Sequence, residues 1–518
     1  MESGSGNASP QPVRRRAAAW GVIFGNAGVA LTITRNILLV PVYLHFVSLA
    51  EYGAWLATGA TAAQWLITDF GLSGVLMQRC AALHGAGQSS RLATMINSGL
   101  LAGLALALLL ASAALVALPH LPAIGGLTAT QGAEIGHCLY IAVAASALGI
   151  VAAISQGLVR SLQYAAAAGS ITLCAELAGI IATLLGLAQG VGLIALAYGF
   201  LVRSCTAVVG QTGYLLTRFG VRVLRTQLPE WPVIRELFSD GWISFVSSLA
   251  MKAPTQANTI LIGYTLGPAS AAAYGLTVRA HDAALLLLGQ MNGAFASSMA
   301  HLWGSGNLER FKVLVTRIAL IGALVSGVAM ATIIATNAGF VSLWLHGRGF
   351  AGQGTSILMA IAVWLSIAGY VAYDSLYAMG RFRIVAGTFV GAAAVHFIAL
   401  IFLLRFGVWV APLSTLISTL VWGGILWAHL RREIRLPLSD LRVIYRAFRT
   451  TGGCAALVAI LFLLVVRMPE TWLGVMATAI GSAVLAVLMM LSINPGMRSI
   501  IQVEAVMTTR ALLARHRI

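Results

Sequence analysis

Arg35 stands in the middle of ALTITRNILLVPVYL, residues 30–44, with apolar residues on both sides. A permanent cation at the centre of a membrane helix costs about 2.5–3.5 kcal/mol on insertion scales, so it is expected to face a polar interior rather than lipid. Lys252, Arg203, Arg279 and Arg317 are further cations set in apolar stretches. Arg35 and Lys252 have no neighbouring carboxylate in the sequence. Together they would make a cavity that attracts an anion, and arginine in particular forks onto phosphate oxygens. The competing reading of Arg35 is that it snorkels, or satisfies backbone carbonyls at a helix break near Pro41.

Carboxylates in the same stretches are fewer. Glu176 and Arg203 can pair across an antiparallel helical hairpin, either as a self-neutralised structural pair or as an ion-coupling site. Arg279 and Asp282, three residues apart, share one helix face and are expected to neutralise each other. Asp69 and Asp374 lie toward the inner ends of their spans. Asp374 sits among Tyr370, Tyr373 and Tyr377, a surface that suits sugar stacking and equally suits ordinary interfacial anchoring.

Chemistry that makes or breaks bonds finds little to work with. The outer loops offer Glu51, Glu134 and Glu470, each alone. There is no Walker A sequence to hold a nucleotide. Cysteines 80, 138, 174, 205 and 454 are scattered without a C-x-x-C pair or zinc spacing, which suits small apolar fillers better than a metal or a disulfide. Neither an enzyme nor a cofactor is expected.

The elements that must position these residues are membrane helices. The chain is 518 residues, 59% hydrophobic and 9% charged, where a soluble protein carries about 25% charged residues. About fourteen apolar spans can be drawn, at 21–47, 53–78, 92–118, 134–158, 164–186, 191–216, 240–265, 274–299, 312–336, 355–379, 384–404, 408–429, 451–467 and 472–493. The segment after Arg14, Arg15 and Arg16 is too long for a signal peptide and reads as an uncleaved first span. With the N-terminus in the cytoplasm, inside segments hold about 24 of the 32 Lys and Arg, while Arg348, Arg405 and Arg467 fall outside. Both termini are therefore expected inside. The net charge of +17 then reports loops beside anionic lipid headgroups, not a nucleic-acid partner.

An internal repeat divides the spans. LHGAGQSSRL at 83–92 and LWGSGNLERF at 302–311 share Leu-x-Gly-x-Gly-(Gln/Asn)-x-x-Arg-apolar, and each follows a span opening on Tyr-Gly, at 52 and 274. An even number of spans separates the copies, so both halves run in the same direction. The expected fold is an all-α polytopic membrane protein with two parallel six-helix lobes, an extra C-terminal helix pair and a central cavity. Its segments are a basic cytoplasmic tail 1–20, lobes at 21–216 and 240–430 joined by a linker 217–239, a basic loop 431–450, the helix pair 451–493 and a cytoplasmic tail 494–518. On this register Lys252, 217 residues after Arg35, is the counterpart cation of the second lobe.

From Val40 to Gln88 the chain reads VPVYLHFVSLAEYGAWLATGATAAQWLITDFGLSGVLMQRCAALHGAGQ. This resembles the polysaccharide transporters, or O-antigen-type flippases, of the multidrug/oligosaccharidyl-lipid/polysaccharide (MOP) exporter superfamily. The elements that carry the resemblance are Pro41 before an apolar helix end, Glu51-Tyr52-Gly53, Trp55, Asp69-Phe70-Gly71-Leu72 and Gly85-x-Gly87-Gln88, with NTILIGYTLGPASAAAYG at 258–275 opening the second lobe. The resemblance implies a flippase of the bacterial inner membrane. Its cargo would be an undecaprenyl-pyrophosphate-linked oligosaccharide for exopolysaccharide, capsule or O-antigen. Arg35, Lys252, Arg203 and Arg279 are the candidate cavity cations for the pyrophosphate, and Glu176, Asp282 and Asp374 the candidates for ion coupling. The polymerase and glycosyltransferases of the same pathway are the candidate protein partners. A lipid II flippase and a cation-coupled multidrug exporter are the alternatives, with a membrane glycosyltransferase or ligase more remote.

Overall fold

The structure is a computed structural model, and it describes residues 27–60, 71–120, 129–219, 228–466, 469–494 and 498, apart from positions 29, 32, 33, 36, 86 and 163. Asp69, Phe70, Arg467, the basic tail before residue 20 and the last residues from 499 lie outside the described residues. Those described are almost wholly helical. In chain order the helices are α1 (Ile37–Phe46, with Arg35 helical just ahead of it), α2 (Leu49–Trp55), α3 (Leu72–Gly85), α4 (Ser89–Ala117), α5 (Ala129–Ser161), α6 (Ala165–Ala188), α7 (Ile194–Phe219) and α8 (Trp231–Thr265). They continue as α9 (Pro268–Thr277), α10 (Arg279–Gly304), α11 (Leu308–Trp344), α12 (Gln353–Ala378), α13 (Phe382–Leu403), α14 (Val410–Ile434), α15 (Leu438–Val465) and α16 (Trp472–Ile493).

Ten helices among the described residues, 22 to 37 residues long, have the length and apolarity to cross a membrane. About 20 residues suffice for a bilayer core, so this is a multi-pass membrane protein. The expected spans outside that set are the first, second, seventh and eighth, the opening pair of each expected lobe. The first and second lie partly outside the described residues, while the seventh is more polar and the eighth is broken at Val278.

The breaks are alike. Tyr52 and Tyr274 are both buried, and regular α-helix stops four residues after each. At Leu56 the chain passes into a π-helical turn, Leu56–Ala60, and at Val278 helix α9 ends and α10 begins. A break inside a membrane must have its freed carbonyls satisfied. The Asn337 side chain donates to the Thr277 carbonyl at 2.9 Å, and the Thr58 hydroxyl donates to the Ala54 carbonyl at 2.6 Å.

The Gly-x-Gly repeat also has a physical basis. Gly87 and Gly306 both have φ of 70°. Gly87 N–H donates to the His84 carbonyl and Gln88 N–H to that of Leu83; Gly306 and Asn307 do the same to Trp303 and Leu302. This is a Schellman stop, with glycine in the left-handed position after the helix. The same pairing recurs at Gly190 and Gly380. The turn alone is therefore generic, and the repeat rests on its pairing with the Tyr-Gly break.

The chain divides into two compact units at Leu249/Ala250, inside α8. In the first unit, Leu72, Leu76, Ile96, Ile154, Leu158 and Leu215 form a core between α3, α4, α5 and α7. Helix α4 turns Ser98, Gly99, Ala102 and Gly103 inward and leaves Leu104, Leu108, Leu109 and Val116 exposed. Small residues inside and large ones outside is the arrangement expected where lipid covers the outer face. In the second unit, Phe311, Val315, Phe389, Trp422 and Leu426 pack between α11, α13 and α14. The terminal pair α15 and α16 lies along α11. Gly327 of α11 makes room for it, since a β-carbon there would stand 2.9 Å from Met490 Cε and 3.0 Å from Thr451 Cβ.

Candidate functional site

The buried charges of the first unit are built on the α6–α7 hairpin. Helix α6 stops at Gly190 and α7 begins at Ile194, so the two run antiparallel. Gly179 and Gly199 let them approach closely: a β-carbon on Gly179 would lie 2.8 Å from both Arg203 Cβ and the Gly199 carbonyl oxygen. Glu176 lies one turn before Gly179 and Arg203 one turn after Gly199, so the contact that closes the hairpin also brings their side chains together. Arg203 Nε donates to Glu176 Oε1 at 2.6 Å. The Arg203 guanidinium also lies 5.9 Å from the Phe200 ring centroid.

Arg35 completes the group. Its Nη1 donates to Glu176 Oε2 at 2.8 Å. Arg35 is therefore not a cation without a carboxylate neighbour, as its sequence surroundings suggest; Glu176 serves it across 141 positions of chain. Nor is it needed at a break near Pro41, because α1 runs through Pro41 to Phe46. One carboxylate between two guanidiniums leaves a net charge of +1. The carboxylate side chain is 8% exposed and the arginines 30% and 32%, so the triad hides its negative charge and presents its positive charge.

In the second unit Lys252 is exposed on α8, two residues before Pro254, and makes no ion pair among the described residues. Arg279 opens α10 with its Nε buried and without a hydrogen-bond partner among the described residues. The expected Arg279–Asp282 neutralisation does not form: Asp282 is exposed and instead lies 3.2 Å from Nδ1 of His281. Three residues of helix put the two side chains near one face but do not make them meet. Asp374 is half-buried without an ion-pair partner among the described residues. Its neighbour Tyr373 packs against Tyr370, Tyr377 and Phe389, so most of the tyrosine cluster is spent on packing inside the unit.

Sequence reasoning passed over a second polar centre. Asn258 of α8 is fully buried and donates from Nδ2 to the Tyr274 hydroxyl at 2.9 Å and to Thr415 Oγ1 at 3.1 Å. Its Oδ1 accepts from Nε2 of His396, also fully buried, at 3.1 Å. This node ties α8, α9, α13 and α14 together, and His396 Nδ1 is buried without a hydrogen-bond partner among the described residues. An asparagine and a histidine inside apolar spans were the available signal, since both are as out of place in lipid as a lone arginine. About one turn away, α8, α10, α12, α13 and α14 enclose a pocket of about 530 Å³, open mouth included.

The lone carboxylates Glu51 and Glu134, expected in outer loops, have structural work. Glu51 closes a capping box with Ser48 at the start of α2 and accepts from Gln131 Nε2 at 3.0 Å. Glu134 accepts the Leu193 N–H at 3.0 Å, holding the α6–α7 turn.

Residues 24–299 match the family described as "Polysaccharide biosynthesis protein". No curated protein matches the chain. Among solved structures, the lipid II flippase MurJ in an inward closed conformation is similar with a TM-score of 0.66 at 14% identity, over 94% of this chain and 99% of that one. An inward-facing multidrug resistance MATE family transporter of the MOP superfamily has a TM-score of 0.64 at 15% identity, over 80% and 94%. A MOP superfamily transporter from Pyrococcus furiosus, described as having a binding pocket of reverse polarity, has a TM-score of 0.63 at 15% identity, over 82% and 96%. At these identities the likeness is one of fold.

Proposed function

The chain belongs to the polysaccharide biosynthesis protein family of MOP-type flippases and transporters, and from that membership we propose that it flips an undecaprenyl-pyrophosphate-linked oligosaccharide from the inner to the outer leaflet of a bacterial inner membrane. Both termini lie in the cytoplasm, and the product feeds an exopolysaccharide, capsule or O-antigen pathway. The cargo head carries a pyrophosphate, and what supports this reading above all is the Arg35–Glu176–Arg203 triad. It holds a surplus positive charge inside a lobe of apolar helices, with both guanidiniums part-exposed and the carboxylate hidden. Guanidinium forks suit phosphate oxygens, and an organic-cation cargo would call for the reverse arrangement. Lys252 and Arg279 are the second lobe's contribution to the same task. Glu176, Asp282 and Asp374 are the carboxylates available for ion coupling. The lipid tail stays in the bilayer while the head crosses.

Reconstitution tests the proposal. Proteoliposomes holding the full chain should expose a labelled undecaprenyl-pyrophosphate oligosaccharide to an outer-leaflet probe faster than protein-free vesicles, and Arg35→Ala should remove most of that gain. Equal rates with and without protein would overturn it. A lipid II flippase is the second reading, favoured by one observation: the likeness to MurJ extends over 94% of this chain, against 80% for the MATE transporter. Its cargo shares the polyprenyl pyrophosphate, so presenting both cargoes in the same vesicles separates the two.

A further inference from the structure

The pocket inside the second unit has a lining unlike that of the charged triad. One wall is aromatic: the ring centroids of Tyr370 and Phe389 each lie 5.3 Å from that of Trp422. Gly369 makes this wall possible, because the Trp422 ring occupies the space where a β-carbon would be. The remaining lining includes Ser366, Thr419 and His281, whose Nδ1 lies 3.2 Å from Asp282, and holds no lysine, arginine or carboxylate. The hydroxyls of Ser366, Thr419 and Tyr370 make no hydrogen bond among the described residues, and none is sealed away from open space. Ser418 and Thr415, by contrast, already donate to the carbonyls of Ala392 and Ala411.

A pocket without lysine, arginine or carboxylate, with an aromatic wall and three unengaged hydroxyls, selects its ligand by exclusion. An organic cation would meet no carboxylate in the lining, and a pyrophosphate no lysine or arginine. A polyprenyl tail would leave the hydroxyls without partners in a dry site, which is unfavourable. A sugar ring satisfies both features, since its C–H face stacks on aromatic rings and its rim of hydroxyls both donates and accepts hydrogen bonds. We propose that this pocket binds a neutral sugar ring of the cargo, stacked on Trp422 and Tyr370 and hydrogen-bonded by Ser366, Thr419 and the Tyr370 hydroxyl. The assignment rests on the flippase reading and adds to it a place where the oligosaccharide, as distinct from the pyrophosphate, is recognised.

The test separates sugar from lipid. The full chain in lipid nanodiscs is titrated with bare undecaprenyl pyrophosphate and with the same lipid carrying glucose, galactose or N-acetylglucosamine. The readout for each protein is the ratio of sugar-bearing to bare affinity. In the wild type at least one sugar should raise affinity about tenfold, the gain from one or two added hydrogen bonds and a stacking contact. Tyr370→Phe, Thr419→Val and Trp422→Phe, each close in shape to the native residue, should pull that ratio toward one. A wild-type ratio of one for every sugar would overturn the subsite while the lipid pyrophosphate still binds and the flippase reading stands. A raised ratio untouched by all three variants would overturn it as well. Binding of none of the lipids would overturn the flippase reading and the subsite with it.

Discussion

A β-carbon on Gly179 would stand 2.8 Å from the carbonyl oxygen of Gly199, so α6 and α7 meet backbone to backbone one turn from the Glu176–Arg203 ion pair. Gly179→Ala should push the helices apart and lengthen that pair. Overpacking of this kind costs about 1–3 kcal/mol, to be seen as a lower melting temperature of the purified protein in detergent. Gly213→Ala, at a position of the same hairpin with open space around it, is the control and should melt like the wild type.

Glu176→Gln should destabilise more than Arg203→Gln. Removing one arginine leaves a neutral pair with Arg35, whereas removing the carboxylate leaves two cations facing each other. Breaking a wholly buried pair costs about 3–5 kcal/mol; with both arginines about a third exposed, about 1–3 kcal/mol is expected after discounting for solvent. The double change Glu176→Gln with Arg203→Gln should recover part of the loss. Strict additivity in a double-mutant cycle would mean that the two residues do not interact.

Asn258→Ala removes the partner of three groups at once, leaving His396 Nε2 buried and unbonded and depriving Tyr274 and Thr415 of a donor. A loss of about 2–4 kcal/mol follows from that many unsatisfied groups. Thr415→Val, which deletes one spoke of the node, should cost less than half as much. Thermal melts of the two variants side by side decide the matter.

The left-handed glycine of the repeat loop has open space around it, so its constraint is conformational and not steric. Gly306→Ala should destabilise by about 1 kcal/mol or slightly more. Gly306→Asn should be milder, because asparagine tolerates φ near 70° better than alanine. An alanine variant as stable as wild type would remove the Schellman explanation of the motif.

Glu51 links stability to pH at the start of α2. Burial alone would raise its pKa, but hydrogen bonds from Gln131 and from Ser48 outweigh that and hold it below the ordinary 4.5. A depressed carboxyl stabilises the fold above its unfolded value and loses the contribution as pH falls through its folded value. Melting temperature should therefore drop more steeply between about pH 5 and pH 3 in the wild type than in Glu51→Gln. Parallel curves would show that the capping box carries no linked proton.

Much of this was legible in the sequence. Apolar runs separated by polar turns placed the helices, because lipid demands long apolar segments whatever their packing. The Glu176–Arg203 pair could be read because a hairpin joins neighbours in sequence. Arg35 meeting Glu176 could not, since nothing periodic links α1 to α6. The Asn258–His396 node escaped for a related reason: its members come from four helices, and each alone looks like a single polar residue in an apolar stretch. Arg279 and Asp282 show the opposite error, since i,i+3 spacing makes contact available without deciding whether a nearer partner takes it.

The double use of Glu176 also bears on descent. Three positions on three helices, Arg35, Glu176 and Arg203, balance one another's charge. A lineage that lost only the acid would carry two uncompensated cations, and one that lost a base would forfeit the surplus charge. Viable steps run through paired substitutions. Among homologues the three sites should therefore vary jointly or stay fixed together, forming one heritable unit that no stretch of contiguous sequence would reveal.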